Sequence, residues 1–298
     1  MTFKFSFLIT FRGGLIFMIN HAFAHLDKEK IVKRNNINIL GQGEKILLLA
    51  HGFGCDQNMW RFMTPELEKQ FTVILFDYVG SGQSDLKSFS KKRYETLEGY
   101  AKDIEEILVA LDLTNVSIIS HSVSSIIAGI ASTHVGDRIS DITMICPSPC
   151  FMNLPPDYVG GFERDDLEEL INLMDKNYIG WAHYLAPLVM GVNHNSEFIG
   201  ELSSSFCSTD PIVAKTFAKA TFFSDYRSLL KNILKPALIF QSAKDSLASP
   251  RIGSYMAQNI RTSKLELIEA EGHCLHMTDP GLITPLLIDF INSKPAAL

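Results

Sequence analysis

The sequence has no dense run of basic residues. Its 27 lysines and arginines are outnumbered by 33 aspartates and glutamates, for a net charge of −6. That excludes a nucleic-acid surface built on clustered phosphate contacts. The densest basic stretch, Lys91-Lys92-Arg93, reads as the solvated start of a helix. No apolar stretch reaches the roughly 20 residues a membrane-spanning helix needs. There is no internal repeat and no low-complexity segment. Cysteines are few and odd in number: Cys55, Cys146, Cys150, Cys207 and Cys274. Their spacings fit neither a zinc site nor a disulfide framework, so free thiols in a reduced, cytoplasmic setting are expected. No cluster shows metal-ligand spacing, which disfavours a metal-dependent hydrolase. The glycines of a dinucleotide fingerprint are also incomplete. Gly80-Ser81-Gly82 follows a strand, but Asp85 stands where the third glycine belongs, so a tight turn is expected instead.

What is present is an ordinary globular balance, 46% hydrophobic and 20% charged over 298 residues, enough for one large core. Strand-like and helical apolar segments alternate from Ile46 to Phe290. That rhythm predicts an α/β fold with a largely parallel sheet flanked by helices. Ile31 to Leu40 alternates around Asn35-Asn36 and predicts an edge hairpin, and a helix is expected over 58–70. After Cys146 the rhythm breaks at Pro147, Pro149, Pro155 and Pro156, and residues 162–222 read as wholly helical. Asp210-Pro211 supplies a cap and first turn for one of these helices. The rhythm resumes after Lys235-Pro236. The expected organisation is a core of 28–150 and 232–298, with a helical insert over 151–231. Residues 1–27 stand apart. Lys4 and Arg12 precede the short apolar run Leu15 to Ile19, and Ala22-Phe23-Ala24 looks like a cleavage site, as in an export signal over 1–24. The preferred reading is a late start at Met18 and a cytoplasmic protein.

The centre of the argument is Ser120-His121-Ser122-Val123-Ser124. A β-branched run ends here and a small-residue helix begins, the strand–turn–helix context of a nucleophile elbow. Ser122 is the candidate nucleophile. The usual pattern has glycine on both flanks, whereas here Ser120 and Ser124 stand there, which tightens the turn. A serine hydroxyl needs a base, and the base an orienting acid. Asp245 follows the strand Ala237 to Gln241, and His273 follows the strand Leu265 to Glu269. Both therefore fall at the same sheet edge as Ser122, in the order serine, acid, histidine. His121 and His276 are the rival bases. His51-Gly52-Phe53-Gly54 after an early strand offers a close backbone approach. The Phe53 and Val123 N–H groups are the candidate oxyanion donors. No cofactor is needed for this chemistry. Cys55 and Cys274 fall beside these motifs as bystanders that an inhibitor could reach.

Several longer strings go further. His51-Gly52-Phe53-Gly54-Cys55-Asp56-Gln57, Leu75 to Gly82 with Ser84-Asp85, and Cys146-Pro147-Ser148-Pro149-Cys150 are three of them. Lys176 to Ala182, Phe206 to Pro211, and Gly272-His273-Cys274-Leu275-His276-Met277 are three more. Between about Ile31 and Ile291 the chain resembles the RsbQ-type α/β-hydrolases, bacterial stress-response regulators related to plant karrikin and strigolactone receptors. Ser120 departs from that family's usual glycine. The resemblance implies Ser122 as nucleophile, His273 as base and Asp245 as its partner, under a four-helix lid over a small apolar pocket. Phe53, Phe151, Tyr158, Trp181, Phe217 and Phe222 are the expected pocket residues. It also implies small hydrophobic, butenolide-like ligands, hydrolysed slowly or sensed. A protein partner is implied as well, a PP2C-type phosphatase that switches on the stress sigma factor.

Overall fold

The computed structural model describes residues 26–191 and 196–293. The signal-like stretch and Met18 lie outside the described residues. Seven strands form one sheet: β1 (Asn38–Leu40), β2 (Ile46–Ala50), β3 (Thr72–Leu75), β4 (Val116–His121), β5 (Ile139–Ile145), β6 (Ala237–Lys244) and β7 (Ser263–Glu271). Their order is β1-β3-β2-β4-β5-β6-β7. β1 runs antiparallel to β3, and every other neighbour is parallel. The fold is that of an α/β-hydrolase, a mostly parallel sheet flanked by helices.

The central strands are apolar on both faces because both faces are covered. Along β2 the side chains alternate. Leu47 and Leu49 enter one core with Val73, Ile119, Ile145 and Phe240. Leu48 and Ala50 enter the other with Ile74, Ile118, Ile142 and Ile239. That second face is covered by α2 (Leu97–Ala110), α3 (Ser124–His134) and α8 (Pro250–Asn259), after the edge helix α1 (Lys28–Arg34). Between β5 and β6 come α4 (Arg164–Lys176), α5 (Tyr178–Met190), α6 (Ser196–Ser208) and α7 (Pro211–Phe222). The Asp210 carboxylate accepts from Ile212 N–H at 2.8 Å and Val213 N–H at 3.2 Å, so α7 starts at the expected cap. The last helix is α9 (Pro280–Asn292).

Two expectations are corrected. Residues 31–40 do not form a hairpin: α1 occupies the first part, and β1 pairs with β3 rather than with its neighbour in sequence. Asp27 caps α1 by accepting from Glu29 N–H at 3.0 Å, and Ile31 is buried against the sheet's helical layer. The apolar alternation was the half-buried face of a helix followed by a short edge strand. Nor is 58–70 one helix. A 3₁₀ turn at Gln57–Trp60 is followed by a separate turn at Thr64–Leu67. Pro65 sits in the first turn of the second piece, where its missing N–H costs nothing; inside a continuous helix it would break the ladder.

Candidate active site

Ser122 stands between β4 and α3 with φ at +55°, a left-handed conformation that non-glycine residues rarely take. Such a residue stores about 1–3 kcal/mol and persists only where its surroundings fix it. Ser122 N–H donates to the Ile145 carbonyl at 2.8 Å, and its own carbonyl accepts from Ser125 N–H at 3.0 Å. The two flanking serines fit because their hydroxyls are bonded inward. Ser120 Oγ donates to the Thr143 carbonyl at 2.8 Å. Ser124 Oγ donates to the His51 carbonyl and accepts from Tyr78 Oη at 3.0 Å.

His273 Nε2 lies 2.7 Å from Ser122 Oγ, and its Nδ1 lies 2.8 Å from Asp245 Oδ2. All three side chains are buried. Asp245 Oδ1 accepts from Leu247 N–H at 2.8 Å and Ala248 N–H at 3.0 Å, which fixes the carboxylate plane. The histidine loop is clamped to the end of α5, where His273 N–H donates to the Val189 carbonyl at 2.8 Å. Gly272 allows that approach: φ is +93°, and a Cβ there would lie 2.1 Å from the Met190 carbonyl oxygen. His121 turns away from Ser122, its Nε2 meeting the His273 carbonyl at 3.0 Å. His276 packs behind it, under Trp60. Neither rival base reaches Ser122.

Among the described residues no hydrogen bond uses the N–H of Phe53 or Val123. The loop that carries Phe53 is tied to its neighbours by a closed set of bonds. Tyr78 N–H donates to His51 Nε2 at 3.2 Å, and His51 Nδ1–H donates to the Gly52 carbonyl at 2.9 Å. The Tyr78–Ser124–His51 chain then joins this loop to the elbow. Ser124→Ala, which cuts that chain, is expected to lower kcat about tenfold with KM little changed. Tenfold in rate is roughly 1.4 kcal/mol, the scale of a hydrogen bond, and the change removes two, to the His51 carbonyl and from Tyr78 Oη. Steady-state kinetics on a chromogenic ester checks it. A KM effect alone would place Ser124 in binding instead.

A cavity of about 20 Å³ lies over Ser122. Its wall holds Phe53, Phe151 and Phe222 of the expected pocket residues, together with His121, His273, Cys55 and Cys274. Tyr158, Trp181 and Phe217 do not line it. Tyr158 donates its hydroxyl to the Cys150 carbonyl at 2.7 Å. Trp181 stacks on Tyr178 behind Phe53 and Phe206, and Phe217 stacks on Tyr100 at 4.0 Å. Sequence reasoning missed Leu185 and Val189, Leu202 and Phe206, Thr221 and Leu247. The first two pairs are each spaced i, i+4, the signature of one helix face. Leu185, Phe222 and Leu247 also line a groove of about 800 Å³ bordered by α4 and α5, so they separate the cavity from the outside.

Burial sets the electrostatics. It pushes the thiols of Cys55 and Cys274 up, so both keep their protons at neutral pH when nothing is bound to them. It holds His121 well below the usual histidine range, and His276 down at about 3. The sign follows from proton counts. Between pH 6.5 and 3 the unfolded chain protonates His276 and the folded one does not, so stability falls as pH falls. From pH 7.5 to 5 this one residue should cost about 2 kcal/mol. Urea unfolding at the two pH values, beside His276→Gln, measures it. An equal loss in the variant would clear His276.

The chain matches the α/β-hydrolase fold family over residues 45–280 and belongs to it. Among solved structures, a hydrolase from Oleispira antarctica is 85% identical with a TM-score of 0.89, covering 90% of this chain and 98% of that one. A karrikin insensitive 2 receptor of Petunia hybrida is 35% identical over 88% of this chain and 97% of its own length. A strigolactone esterase of Arabidopsis thaliana is 31% identical over 88% and 98%. The protein is thus a hydrolase-fold enzyme homologous to a plant karrikin insensitive 2 receptor and a plant strigolactone esterase. Among the described residues no helix is long and apolar enough to cross a membrane.

Proposed function

We propose that the protein is a serine hydrolase of small, neutral, apolar esters or lactones. The observation that carries this reading is the continuous line from Ser122 Oγ through His273 to Asp245, at 2.7 and 2.8 Å. Ser122 Oγ attacks the carbonyl carbon as His273 Nε2 takes its proton. The developing oxyanion is held by the N–H groups of Phe53 and Val123, each worth about 3–4 kcal/mol in the transition state. His273 returns the proton to the departing alkoxide, leaving an acyl-Ser122 ester. Water, deprotonated by His273, attacks the acyl carbon, and His273 returns that proton to Ser122 Oγ as the ester bond breaks and the acid leaves. Among the described residues no Lys, Arg, Asp or Glu lines the cavity, which suits an uncharged substrate. Residues 151–231 act as the lid, and anything larger than a small acyl group needs Leu185, Phe222 and Leu247 to move.

A second reading is favoured by that closed cavity and by the receptor relatives. The protein is then an RsbQ-type cytoplasmic sensor, in which ligand entry shifts the lid and a partner, such as a PP2C-type stress phosphatase, reads the shift. Hydrolysis is slow or incidental in that case. Hydrolysis of p-nitrophenyl acetate and a synthetic butenolide separates the two. Many turnovers per Ser122 support the enzyme. A single burst with a ligand-induced rise in melting temperature supports the sensor. Neither signal would remove both.

A further inference from the structure

The floor of the site holds more ring nitrogen than the triad uses. His121, Cys274 and His276 are buried, and one donor atom from each lies within 4.8 Å of the others. His276 has both ring nitrogens without a hydrogen-bond partner, and His121 has Nδ1 without one. Because His121 Nε2–H donates to the His273 carbonyl, its Nδ1 carries a lone pair. His276 carries another in either tautomer. A buried polar atom left unpaired costs about 1–3 kcal/mol, and here three fall on two rings 4.4 Å apart. Two imidazole lone pairs and a thiol are the donor set that Zn²⁺ takes. His121 and Cys274 also line the cavity over Ser122, which supplies an open fourth position and, once Leu185, Phe222 and Leu247 move, an entry path. The sequence hid the cluster, since His121 comes from the elbow and the other two from the loop after β7.

We propose that His121, Cys274 and His276 form a binding site for a borderline-soft divalent cation such as Zn²⁺, entered from the catalytic cavity, and that its occupancy inhibits hydrolysis. On binding, the Cys274 thiol releases its proton to solvent and a sulfur–metal bond forms, with no change of oxidation state. The two positive charges then sit beside His273, whose ring is 5.0 Å from that of His121. A cation there also occupies the wall of the cavity over Ser122 and obstructs the approach of a substrate carbonyl to Ser122 Oγ. The inhibition rests on the hydrolase reading above; the binding does not.

The test titrates Co²⁺ into the full chain and follows the thiolate-to-cobalt charge-transfer band, then displaces it with Zn²⁺ and assays p-nitrophenyl acetate hydrolysis. One equivalent should give the band. Cys274→Ser should abolish it, and His276→Gln should weaken Co²⁺ binding by about tenfold or more, the scale on which even outer partners of a metal count. Cys146→Ser should keep it. That control matters because Cys146, Asp245 and His273 also approach within 4.8 Å of one another. No band in the parent, or a band that follows Cys146 rather than Cys274, overturns the site. A band without loss of hydrolysis on Zn²⁺ addition overturns the inhibition. Should the parent not hydrolyse at all, the hydrolase reading fails while the band still decides the site. Should Cys274→Ser not fold, His276→Gln and Cys146→Ser decide.

Discussion

Ser122→Ala is expected to lower kcat for p-nitrophenyl acetate by about ten-thousandfold or more and to abolish labelling by a fluorophosphonate probe. The size follows from what the residue does. Without Oγ no acyl-enzyme forms, and only binding and the two free amides remain to help water attack. Loss of the nucleophile or of the base costs about as much as loss of all three, because the two act as a unit. The fold should survive the change. The left-handed turn at Ser122 is held by backbone bonds to Ile145 and from Ser125, and alanine keeps both. An unchanged melting temperature with no labelling is therefore the expected pair of results. Labelling that persists in the variant would move the nucleophile elsewhere and remove Ser122 from the mechanism.

Much of this site was legible before any coordinates. The order of Ser122, Asp245 and His273, each just past an apolar strand, is a one-dimensional pattern that a parallel sheet converts into proximity. The sheet itself was legible for the same reason, since strands buried on both faces read as continuous apolar runs. Ser120 and Ser124 mark where pattern reasoning strains. A motif written with glycines suggests a crowded turn, but crowding depends on whether a hydroxyl finds a partner. Thr143 and His51 offer carbonyls that the local sequence does not reveal.

What was not legible shares a cause. The hairpin expected over 31–40 failed because β1 pairs with β3, and register across distant strands leaves no local trace. The pocket aromatics failed selectively. Trp181 and Phe217 belong to the helices of the insert, and which helix face meets the cavity is fixed by packing on Phe53, Phe206 and Tyr100. The i, i+4 pairs Leu185/Val189 and Leu202/Phe206 carried the better signal, since a cavity wall is made of a face rather than of large residues.

Asp245→Asn should lower kcat by about ten-thousandfold at neutral pH while leaving the fold intact. The carboxylate's two oxygens have separate tasks. Oδ1 accepts the N–H groups of Leu247 and Ala248, and Oδ2 faces His273 Nδ1 at 2.8 Å. An asparagine keeps its carbonyl where the two N–H groups point, because turning it would set donor against donor. Its NH₂ then faces Nδ1 and donates. His273 must accept there, so its proton moves to Nε2, the atom 2.7 Å from Ser122 Oγ. An imidazole protonated at Nε2 cannot take the serine proton, and the base is lost although every heavy atom stays in place. Asp245→Ala is the informative partner. It leaves the two N–H groups without an acceptor, so it should cost stability as well, by about 1–3 kcal/mol for each buried group left unpaired. Kinetics and melting curves on both variants separate the roles. Asparagine should fail in rate alone, alanine in rate and stability. An asparagine variant that keeps more than about a tenth of the parent rate would show that Asp245 neither sets the tautomer nor orients the base.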